Sequence, residues 1–330
     1  MFELDSAETR FALDTTRRAA GLVRKIQAEM VVESLTKQDS SPVTVADFSS
    51  QALVGWSMSR WFPDDLLVAE EDSADLSEPG NGELLGQVAR YVTPLTGDPD
   101  GEAVKRWIDY NQADGGKRFW TLDPIDGTKG FLRGDQYVVA LALLVDGRVQ
   151  IGALACPNLA GGWKPQKGGV GTLLLGINGR GSWRMDLWND SELTPLEVSG
   201  EGDPARAILL RSFEAGHTNL DQIDFFVKAL GARPEPVRMD SQAKYALLAS
   251  GAGEIYLRLL SPSRPDYREK IWDQAAGSLI LEEAGGRISD LDGKKLDFSK
   301  GRRLEANRGV LATNSRLHDA ALQALREIGA

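Results

Sequence analysis

Apolar residues recur at two different periods along the chain, and these periods predict both helices and strands. From Ser6 to Leu35 they recur every three or four positions with charges between them, which predicts one long amphipathic helix. A second helix is predicted over Phe48 to Trp61, followed by a strand over Leu66 to Val68. The apolar run Tyr137 to Val145 and the Asp-Gly turn after it predict a β-hairpin in the core of a sheet.

The rest of the chain alternates between polar connections and further elements. Residues 73–116 are rich in Gly, Pro and Asp, with a helical patch near 84–91, and predict a mobile excursion over a site. Residues 182–201 are polar and aromatic and are predicted to connect two domains or to extend the second. After residue 207, strand-like and helix-like patterns alternate, which predicts a second α/β layer.

Composition narrows the functional classes without choosing one. The chain has 330 residues and a net charge of −10, which suits one large or two ordinary domains and argues against a protein that coats nucleic acid. Its single cysteine, Cys156, excludes an intramolecular disulfide framework and is predicted to be a buried thiol. The N-terminal residues have no apolar signal core, and no stretch approaches the length of a transmembrane helix. We expect a cytoplasmic monomer with a small-molecule partner and no nucleic-acid or membrane partner.

The segment Asp123-Pro124-Ile125-Asp126-Gly127-Thr128 carries the strongest chemical signal. Its two carboxylates and the main-chain carbonyl between them, held by a proline with a fixed φ and followed by a glycine, suit a hard cation such as Mg²⁺. An ordinary Asx-type turn at the end of a strand is the alternative, because Asp-Pro and Asp-Gly are common turn dipeptides.

Further acids stand at the ends of other segments. Asp47 ends an alternating stretch, and Asp273 opens a helix-like one. Glu70 and Glu71 follow an apolar run. Each of these acids is also typical of a solvated strand end or helix cap. A shared pocket would distinguish the two interpretations, since crowded carboxylates repel one another unless cations neutralise them.

Five segments carry a resemblance to a known family. They are SPVTVAD (residues 41–47), LDPIDGTKGFLRGDQYVVALALL (122–144), MDSQAKY (239–245), EIYLRL (254–259) and EKIWD (269–273). Together they resemble the 3'(2'),5'-bisphosphate nucleotidases, within the lithium-sensitive, magnesium-dependent phosphatase superfamily that includes inositol monophosphatase and fructose-1,6-bisphosphatase. The DPxDGT pattern marks the whole superfamily, whereas the Gly-Thr-Lys-Gly-Phe continuation and the Ser-Gln-x-Lys-Tyr motif are specific to the branch.

The resemblance implies an α+β fold, a layered α/β/α/β/α sandwich of two sheets packed with helices. It implies an N-terminal α+β domain, residues 1–157, that carries most metal ligands, and a C-terminal α/β domain, residues 158–330, with the nucleotide site and Asp273. Two or three Mg²⁺ ions are expected, with inhibition by Li⁺ and Ca²⁺. The implied ligands are hard oxygen donors, namely Glu70, Asp123, Asp126, Asp273 and the main-chain carbonyl of Ile125.

The resemblance also implies a catalytic pair. It places Asp47 beside Thr128, so that the acid accepts the hydroxyl proton and the Thr128 oxygen orients and deprotonates a water for in-line attack. A helix N-cap is the alternative role of Thr128. Glu71 is either an outer ligand or the partner of a nearby base.

Substrate-binding residues follow from the same resemblance. They are Gly127, Thr128, His217, Ser241, Lys244, Arg258 and Asp273, with Lys244 and Arg258 expected on a 5'-phosphate. A snorkelling surface side chain is the alternative for Arg258, and a plain loop residue is the alternative for His217. Lys270 is interpreted as a charge at a helix entry and is left out of the site.

The implied function is Mg²⁺-dependent hydrolysis of the 3'-phosphate of a phosphorylated nucleotide, adenosine 3',5'-bisphosphate, to AMP and phosphate. Its sulfated form, 3'-phosphoadenylyl sulfate, is an expected second substrate. Two alternatives stay open. One is an inositol-phosphate phosphatase, including one for inositol 1,4-bisphosphate, and the other is a catalytically silent sensor of a phosphorylated ligand.

Overall fold

Two packed helices form one outer layer of the molecule. The computed structural model describes residues 2–34, 42–78, 80–97, 100–160, 164–166, 169–189, 191–213, 220–233 and 235–330. Helices α1 (Ala7–Ser34) and α2 (Pro42–Trp61) contact each other, and α1 confirms the predicted long helix, with Phe11, Val23 and Ile26 buried. Within these ranges, no helix combines the length and the apolar character needed to cross a membrane.

Helix α2 begins at Pro42, so the prediction of a helix that starts only at Phe48 was wrong. Proline is favourable in the first turn of a helix, where its missing N–H has no intrahelical acceptor. Val45 and Ala46 are fully buried, because α2 contacts other helices and the first sheet. The alternation before Asp47 therefore reflects a helix buried on several faces, and Asp47 lies inside that helix.

Residues 73–116 form a second helical part of this layer. Helices α3 (Gly82–Thr96) and α4 (Gly101–Ile108) both pack against α2, with Val88 and Val104 fully buried. None of the described residues of this interval lines the cavity of the candidate site. The prediction of an excursion over a site was wrong, because the apolar positions between its glycines and prolines are spaced to bury helix faces.

The first sheet combines one parallel pair with antiparallel strands. The first nine described strands of the chain are β1 (Leu66–Ala69), β2 (Arg118–Asp126), β3 (Val138–Val145), β4 (Arg148–Cys156), β5 (Leu159–Ala160), β6 (Lys164–Pro165), β7 (Thr172–Ile177), β8 (Gly181–Asp186) and β9 (Thr194–Pro195). Seven of them form the first sheet, and β5 and β6 form a separate ribbon. The sheet order is β1-β2-β3-β4-β7-β8-β9, and β1 is parallel to β2. The β3–β4 hairpin is confirmed, and its turn has Asp146 at φ 49° and Gly147 at φ 72°, as a type I′ turn needs.

A second sheet follows in the C-terminal part of the chain. Its strands are β10 (Leu209–Arg211), β11 (Val237–Arg238), β12 (Ile255–Arg258), β13 (Arg287–Ser289) and β14 (Val310–Thr313), and the helices from the end of β2 onward are α5 (Thr128–Arg133), α6 (Leu220–Leu230), α7 (Ala243–Ala249), α8 (Ala275–Glu283) and α9 (His318–Glu327). The order is β11-β10-β12-β14-β13, with β10 parallel to both of its neighbours. The predicted second α/β layer is therefore confirmed.

Three apolar clusters separate the layers. The first joins α1 and α2 to one face of the first sheet, the second joins the other face to α7, α8 and the second sheet, and the third joins the second sheet to α6 and α9. On β3, Leu141 faces the first cluster, whereas Ala140 and Ala142 face the second, as the alternation of a strand requires. The α/β/α/β/α layering expected from the sequence is confirmed.

The two sheets change over later in the chain than the expected division at 157/158. Strands β7, β8 and β9 belong to the first sheet, which continues to Pro195, and the second sheet begins at Leu209. Residues 182–195 therefore extend the first sheet. The N–H of Val198 donates to the carbonyl of Ala284, and the carbonyls of Ser199 and Glu201 accept from Asn314, so residues 182–201 connect the two parts, as one of the two predicted roles required. Cys156 is a fully buried thiol on β4, as predicted, and burial raises its pKa.

Candidate active site

The segment from Asp123 to Thr128 ends β2 with an irregularity. The register between β2 and β3 shifts between Asp123 and Asp126, where Pro124 has no N–H to donate. The main-chain N–H of Ile125 donates to Oδ1 of Asp123 at 3.1 Å, so the Asx-type hydrogen bond is present. Gly127 has a φ of 94°, and an added Cβ would lie only 2.9 Å from the Cβ of a neighbouring serine. The turn and the candidate cation site are therefore two properties of one local structure.

This segment opens onto a cavity of about 420 Å³. The predicted site residues in its wall are Glu70, Asp123, Ile125, Asp126, Gly127, Thr128, Ser241, Lys244, Arg258 and Asp273. They come from the end of β1, the end of β2, the entry to α7, the end of β12 and the entry to α8. Because β10, β11 and β12 are parallel, their carboxyl ends meet at the cavity, the edge where α/β sheets bind ligands. The shared pocket that separates ligands from solvated caps is present.

Three other residues considered in the sequence stand differently. Asp47 is buried on α2 and does not line the cavity, but burial and the nearby Glu71 and Glu70 raise its pKa well above the usual range. Glu71 also lies outside the lining, and its main-chain carbonyl accepts a hydrogen bond from Nε2 of Gln51 at 2.6 Å. His217 lies outside the described residues. The pairing of Asp47 with Thr128 stays a prediction.

The carboxyl groups of the cavity are crowded and buried, and their pKa values rise for both reasons. Burial raises the pKa of Glu70 to about 8, and Asp273 adds to the rise. Burial also raises the pKa values of Asp126 and Asp273 to about 6 each. The pKa of Asp123 lies well above its ordinary value, because the group is buried next to Glu70 and Asp126. Without a bound cation, Glu70 therefore holds a proton at neutral pH.

The oxygen donors suit a hard cation, although their side chains do not converge on one central point. Asp123 hydrogen bonds to both Glu70 and Asp273. Across the described ranges, no group of three or more His, Cys, Asp or Glu side chains stands in a ready coordination geometry. All of the donors are oxygen atoms, and burying several carboxyl groups together is favourable only when protons or cations neutralise them. The residues therefore fit Mg²⁺ by their chemistry.

Gln242 connects the end of β2 to the entry of α8, and it was not among the predicted site residues. Its main-chain N–H donates to Oδ2 of Asp126 at 2.6 Å, and its side-chain Nε2 donates to the carbonyl of Trp272 at 3.0 Å. Its Oε1 accepts from the N–H of Gly277 on α8 at 3.0 Å. The preceding residue, Ser241, has a φ of 64°, a conformation uncommon outside glycine. This bend directs Gln242 to both segments.

Two buried cations occupy the other side of the cavity. Nζ of Lys244 donates to the carbonyls of Ser241 at 2.7 Å and Met239 at 3.1 Å, and burial lowers its pKa to about 8. Arg258 forms an ion pair with the buried Glu269, with Nε 2.8 Å from Oε1. Arg258 therefore lies in the cavity wall, not on the surface, and the snorkelling alternative was wrong.

Thr128 is the first residue of the short helix α5, and Gly127 occupies the N-cap position without a side-chain hydrogen bond. The N-cap alternative for Thr128 was therefore wrong, and its side chain lies in the cavity wall.

Further cavity residues were missed in the sequence. They are Lys129, Ser212, Asp240, Tyr256, Tyr267, and Lys270, which was set aside as a helix-entry charge. Lys129, Asp240, Tyr256 and Lys270 stand inside the segments that carry the resemblance, so their position beside known motifs was a usable signal. Ser212 and Tyr267 have none.

Comparisons with known proteins identify the relatives of this chain. Residues 5–330 match the model of the inositol monophosphatase family. The chain is 40% identical over 339 residues to the 3'(2'),5'-bisphosphate nucleotidase of Emericella nidulans, covering 94% of this chain and 95% of that protein. It is 41% identical over 342 residues to the enzyme of the same name from Oryza sativa, covering 98% and 94% of the two chains.

Solved structures show the same fold at lower identity. An inositol monophosphatase from Anabaena (Nostoc) superimposes with a TM-score of 0.62 at 21% identity, over 96% of this chain and 94% of that one. CysQ from Bacteroides thetaiotaomicron, a bacterial member of the inositol monophosphatase family, gives a TM-score of 0.60 at 16% identity, over 95% and 99%.

Proposed function

The chain belongs to the inositol monophosphatase family, and from this membership we propose that it is a Mg²⁺-dependent phosphomonoesterase acting on a bisphosphate nucleotide. Its substrate is adenosine 3',5'-bisphosphate, from which it removes the 3'-phosphate to give AMP and phosphate. Similarity to two bisphosphate nucleotidases over nearly the whole chain supports this choice. The sulfated form, 3'-phosphoadenylyl sulfate, carries the same 3'-phosphate and is the second proposed substrate.

One observation carries the proposal. The buried ammonium of Lys244 shares a cavity with the carboxyl groups of Glu70, Asp123, Asp126 and Asp273. The ammonium donates to two main-chain carbonyls, and no carboxylate of the described residues lies within ion-pair distance of it, although Asp126 attracts it from farther away. Because burial outweighs that attraction and lowers the pKa of Lys244, a ligand that supplies an anion would stabilise the charged form. A substrate with two phosphates satisfies both ends of such a cavity.

The acids would hold two or three Mg²⁺ ions, together with the main-chain carbonyl of Ile125. When bound, Mg²⁺ supplies a more acidic water and neutralises charge on the phosphate and the leaving oxygen. Competition by Li⁺ and Ca²⁺ at these donors would inhibit the enzyme.

The chain's own groups would move the proton. Thr128 accepts a proton from the attacking water and passes its hydroxyl proton to Asp47. The water oxygen forms a bond to phosphorus as the bond to the 3'-oxygen breaks, and the 3'-oxygen takes a proton from solvent water to give the hydroxyl of AMP. Burial and the nearby Glu71 and Glu70 raise the pKa of Asp47, which makes its carboxylate a stronger base for this proton.

On the substrate side, Lys244 and Arg258 would bind the 5'-phosphate through charge-assisted hydrogen bonds. Ser241, Gly127 and Thr128 would line the path between the two phosphates. His217 is proposed to contact the nucleotide on the basis of the resemblance.

Phosphate release tests the proposal directly. Adenosine 3',5'-bisphosphate, 3'-phosphoadenylyl sulfate, AMP, inositol 1-phosphate, inositol 1,4-bisphosphate and fructose 1,6-bisphosphate are compared with and without Mg²⁺. We expect Mg²⁺-dependent release that is fastest from the first substrate and absent from AMP. A preference for an inositol phosphate would replace the nucleotidase by the inositol-phosphate phosphatase. Release from none of them, with tight binding of the nucleotide, would support the silent sensor.

A further inference from the structure

A C-terminal strap, residues 297–304, crosses from the second part of the chain to the edge of the first sheet. A Cβ added to Gly147 would lie 2.8 Å from the Cβ of Ser299, and one added to Gly301 would lie 3.1 Å from the carbonyl oxygen of Asp114. The strap therefore lies directly against the loop before β2 and the turn after β3, at the end of the first sheet where Arg118 pairs with Val145. Its contacts place one arginine, Arg302, between two segments that supply cavity acids, the end of β1 and the entry to α8.

Arg302 contacts both of these segments. Its Nη2 donates to the main-chain carbonyl of Ala69 at 2.6 Å, and its guanidinium carbon lies 4.7 Å from the centre of the Trp272 ring. Its own carbonyl accepts from the N–H of Ile271 at 3.1 Å. Within the described residues, Arg302 has no ion pair with a carboxylate, so its charge is directed at a carbonyl and an aromatic face.

The two residues that Arg302 contacts each stand directly before a predicted cation ligand in the chain. Ala69 directly precedes Glu70 at the end of β1, and Trp272 directly precedes Asp273 before α8. One side chain thus holds the neighbours of two acids that belong to different layers of the fold. A planar guanidinium suits this task, because it donates in its plane and stacks on its face.

We propose that Arg302 is a positioning residue that fixes the distance between Glu70 and Asp273, and that it thereby sets the affinity of the cation site. This inference rests on the proposed function. Arg302 does not line the cavity, so it touches neither the substrate nor the reacting atoms. Its loss should weaken cation binding and leave the chemical step almost unchanged once the cation is saturating.

The test compares Arg302→Met with Arg303→Met, a neighbour on the same strap whose Nη1 donates only to the carbonyl of Arg268 among the described residues, at 3.3 Å. Mg²⁺ affinity is measured by titration calorimetry on the full chain, and Mg²⁺ dependence of kcat is measured separately. Loss of a partner that orients metal ligands lowers metal affinity about 10-fold or more. We expect such a loss for Arg302→Met, with kcat at saturating Mg²⁺ within about twofold of the wild type, and no change for Arg303→Met.

Two further outcomes keep the inference separate from the proposed function. Equal Mg²⁺ affinity in Arg302→Met and the wild type overturns the inference, as does an equal loss in both variants, since that would reflect the strap's stability alone. Failure of the wild type to bind Mg²⁺ overturns the proposed function instead. If Arg302→Met does not fold, Arg302→Lys and Arg302→Gln replace it. Affinity should then fall from wild type to Lys to Gln, and equal values for all three overturn the inference.

Discussion

Arg258 lies 2.8 Å from the carboxylate of Glu269 at the wall of the cavity. Glu269 is almost completely buried, and Arg258 is largely so. A guanidinium carries five N–H donors, so a pair through Nε leaves donors on the two terminal nitrogens for a phosphate. The ion pair fixes the direction in which those donors point.

The first prediction concerns Arg258→Ala. If Arg258 holds the 5'-phosphate, this variant should lose most of its preference for adenosine 3',5'-bisphosphate over adenosine 3'-phosphate. A hydrogen bond to a charged group contributes about 1.5 to 3 kcal/mol, so the discrimination in kcat/KM should fall by about 10-fold to 100-fold. Glu269→Gln keeps the guanidinium but removes the charge that orients it, so it should lose less of the preference than Arg258→Ala does. Equal losses on both substrates would show that Arg258 supports the fold or the cations.

The second prediction concerns the acids at the end of β2. Asp123→Asn and Asp126→Asn each remove a charge without changing volume, and each should abolish nearly all turnover because Mg²⁺ binding fails. The melting temperature of the metal-free protein should stay the same or rise, since the crowded carboxyl groups repel one another.

Asp146→Asn, in the hairpin turn away from the cavity, is the matched control for these two variants. Its left-handed conformation suits asparagine, so activity and melting temperature should both be unchanged. Ordinary rates at ordinary Mg²⁺ in Asp123→Asn or Asp126→Asn would sink the assignment of these residues as ligands.

The third prediction separates chemistry from helix capping at Thr128. Thr128→Ala should lower kcat by about 100-fold or more with a modest change in KM, while Thr128→Ser, which keeps a hydroxyl, should retain much of the rate. Since the side chain makes no cap hydrogen bond, thermal melts should show little loss of stability. A destabilised but fully active Thr128→Ala would count against the proton relay.

Strand and helix periods are local properties, so they predicted individual elements, whereas the resemblance implied the order of the layers. The long helix, the β3–β4 hairpin and the second α/β layer were all visible as patterns. The start of α2 was not, since its apolar alternation is set by the neighbours that bury it on several faces. Residues 73–116 were partly misjudged for a similar reason, because the helical patch near 84–91 was recognised as part of α3, whereas frequent Gly and Pro concealed the rest of α3 and all of α4.

The candidate site was likewise predicted only in part from the sequence. Ten of the predicted site residues line one cavity, including Glu70, which lies outside the five segments, whereas Asp47 lies inside one of them and does not line the cavity. The sequence did not predict the hydrogen bonds and the ion pair that connect the segments of the site. The hydrogen bonds of Gln242 to Asp126 and Trp272, and the ion pair of Arg258, join residues whose relation depends on how the sheets stack. Such contacts have no local signature.

The fourth prediction follows from the pKa of Glu70, which burial and Asp273 raise to about 8. In the metal-free protein at pH 7 this group holds a proton, and a cation ligand must release it. Mg²⁺ binding should therefore release about one proton or more near pH 7 and fewer above pH 8. Calorimetric heats in buffers with different ionisation enthalpies measure this number. Glu70→Gln should reduce it, and buffer-independent heats in the wild type would contradict the prediction.

The last prediction uses a buried histidine far from the cations. His318 places Nε2 2.9 Å from Oγ of Ser289 and Nδ1 3.0 Å from Oγ1 of Thr313, and burial, with a smaller effect of Arg287, lowers its pKa to about 4. An unfolded histidine titrates near 6.5, so between these values the unfolded chain binds a proton that the folded chain does not. His318 should therefore contribute its full stability above pH 6.5 and lose it as the pH falls towards 4.

Urea unfolding of the wild type and His318→Gln, in EDTA between pH 4 and pH 7, measures this contribution. The variant should be less stable at pH 7, because it disturbs two buried hydrogen bonds, but the difference should shrink as the pH falls. The shrinkage should be on the order of 1 to 2 kcal/mol, less than the full pKa difference implies, because the effective dielectric around buried charges in proteins is well above that of dry protein. The acids of the cavity, whose pKa values are raised, act in the opposite direction in both proteins and cancel in the comparison. A constant difference across the range would mean that His318 is not held neutral by the fold.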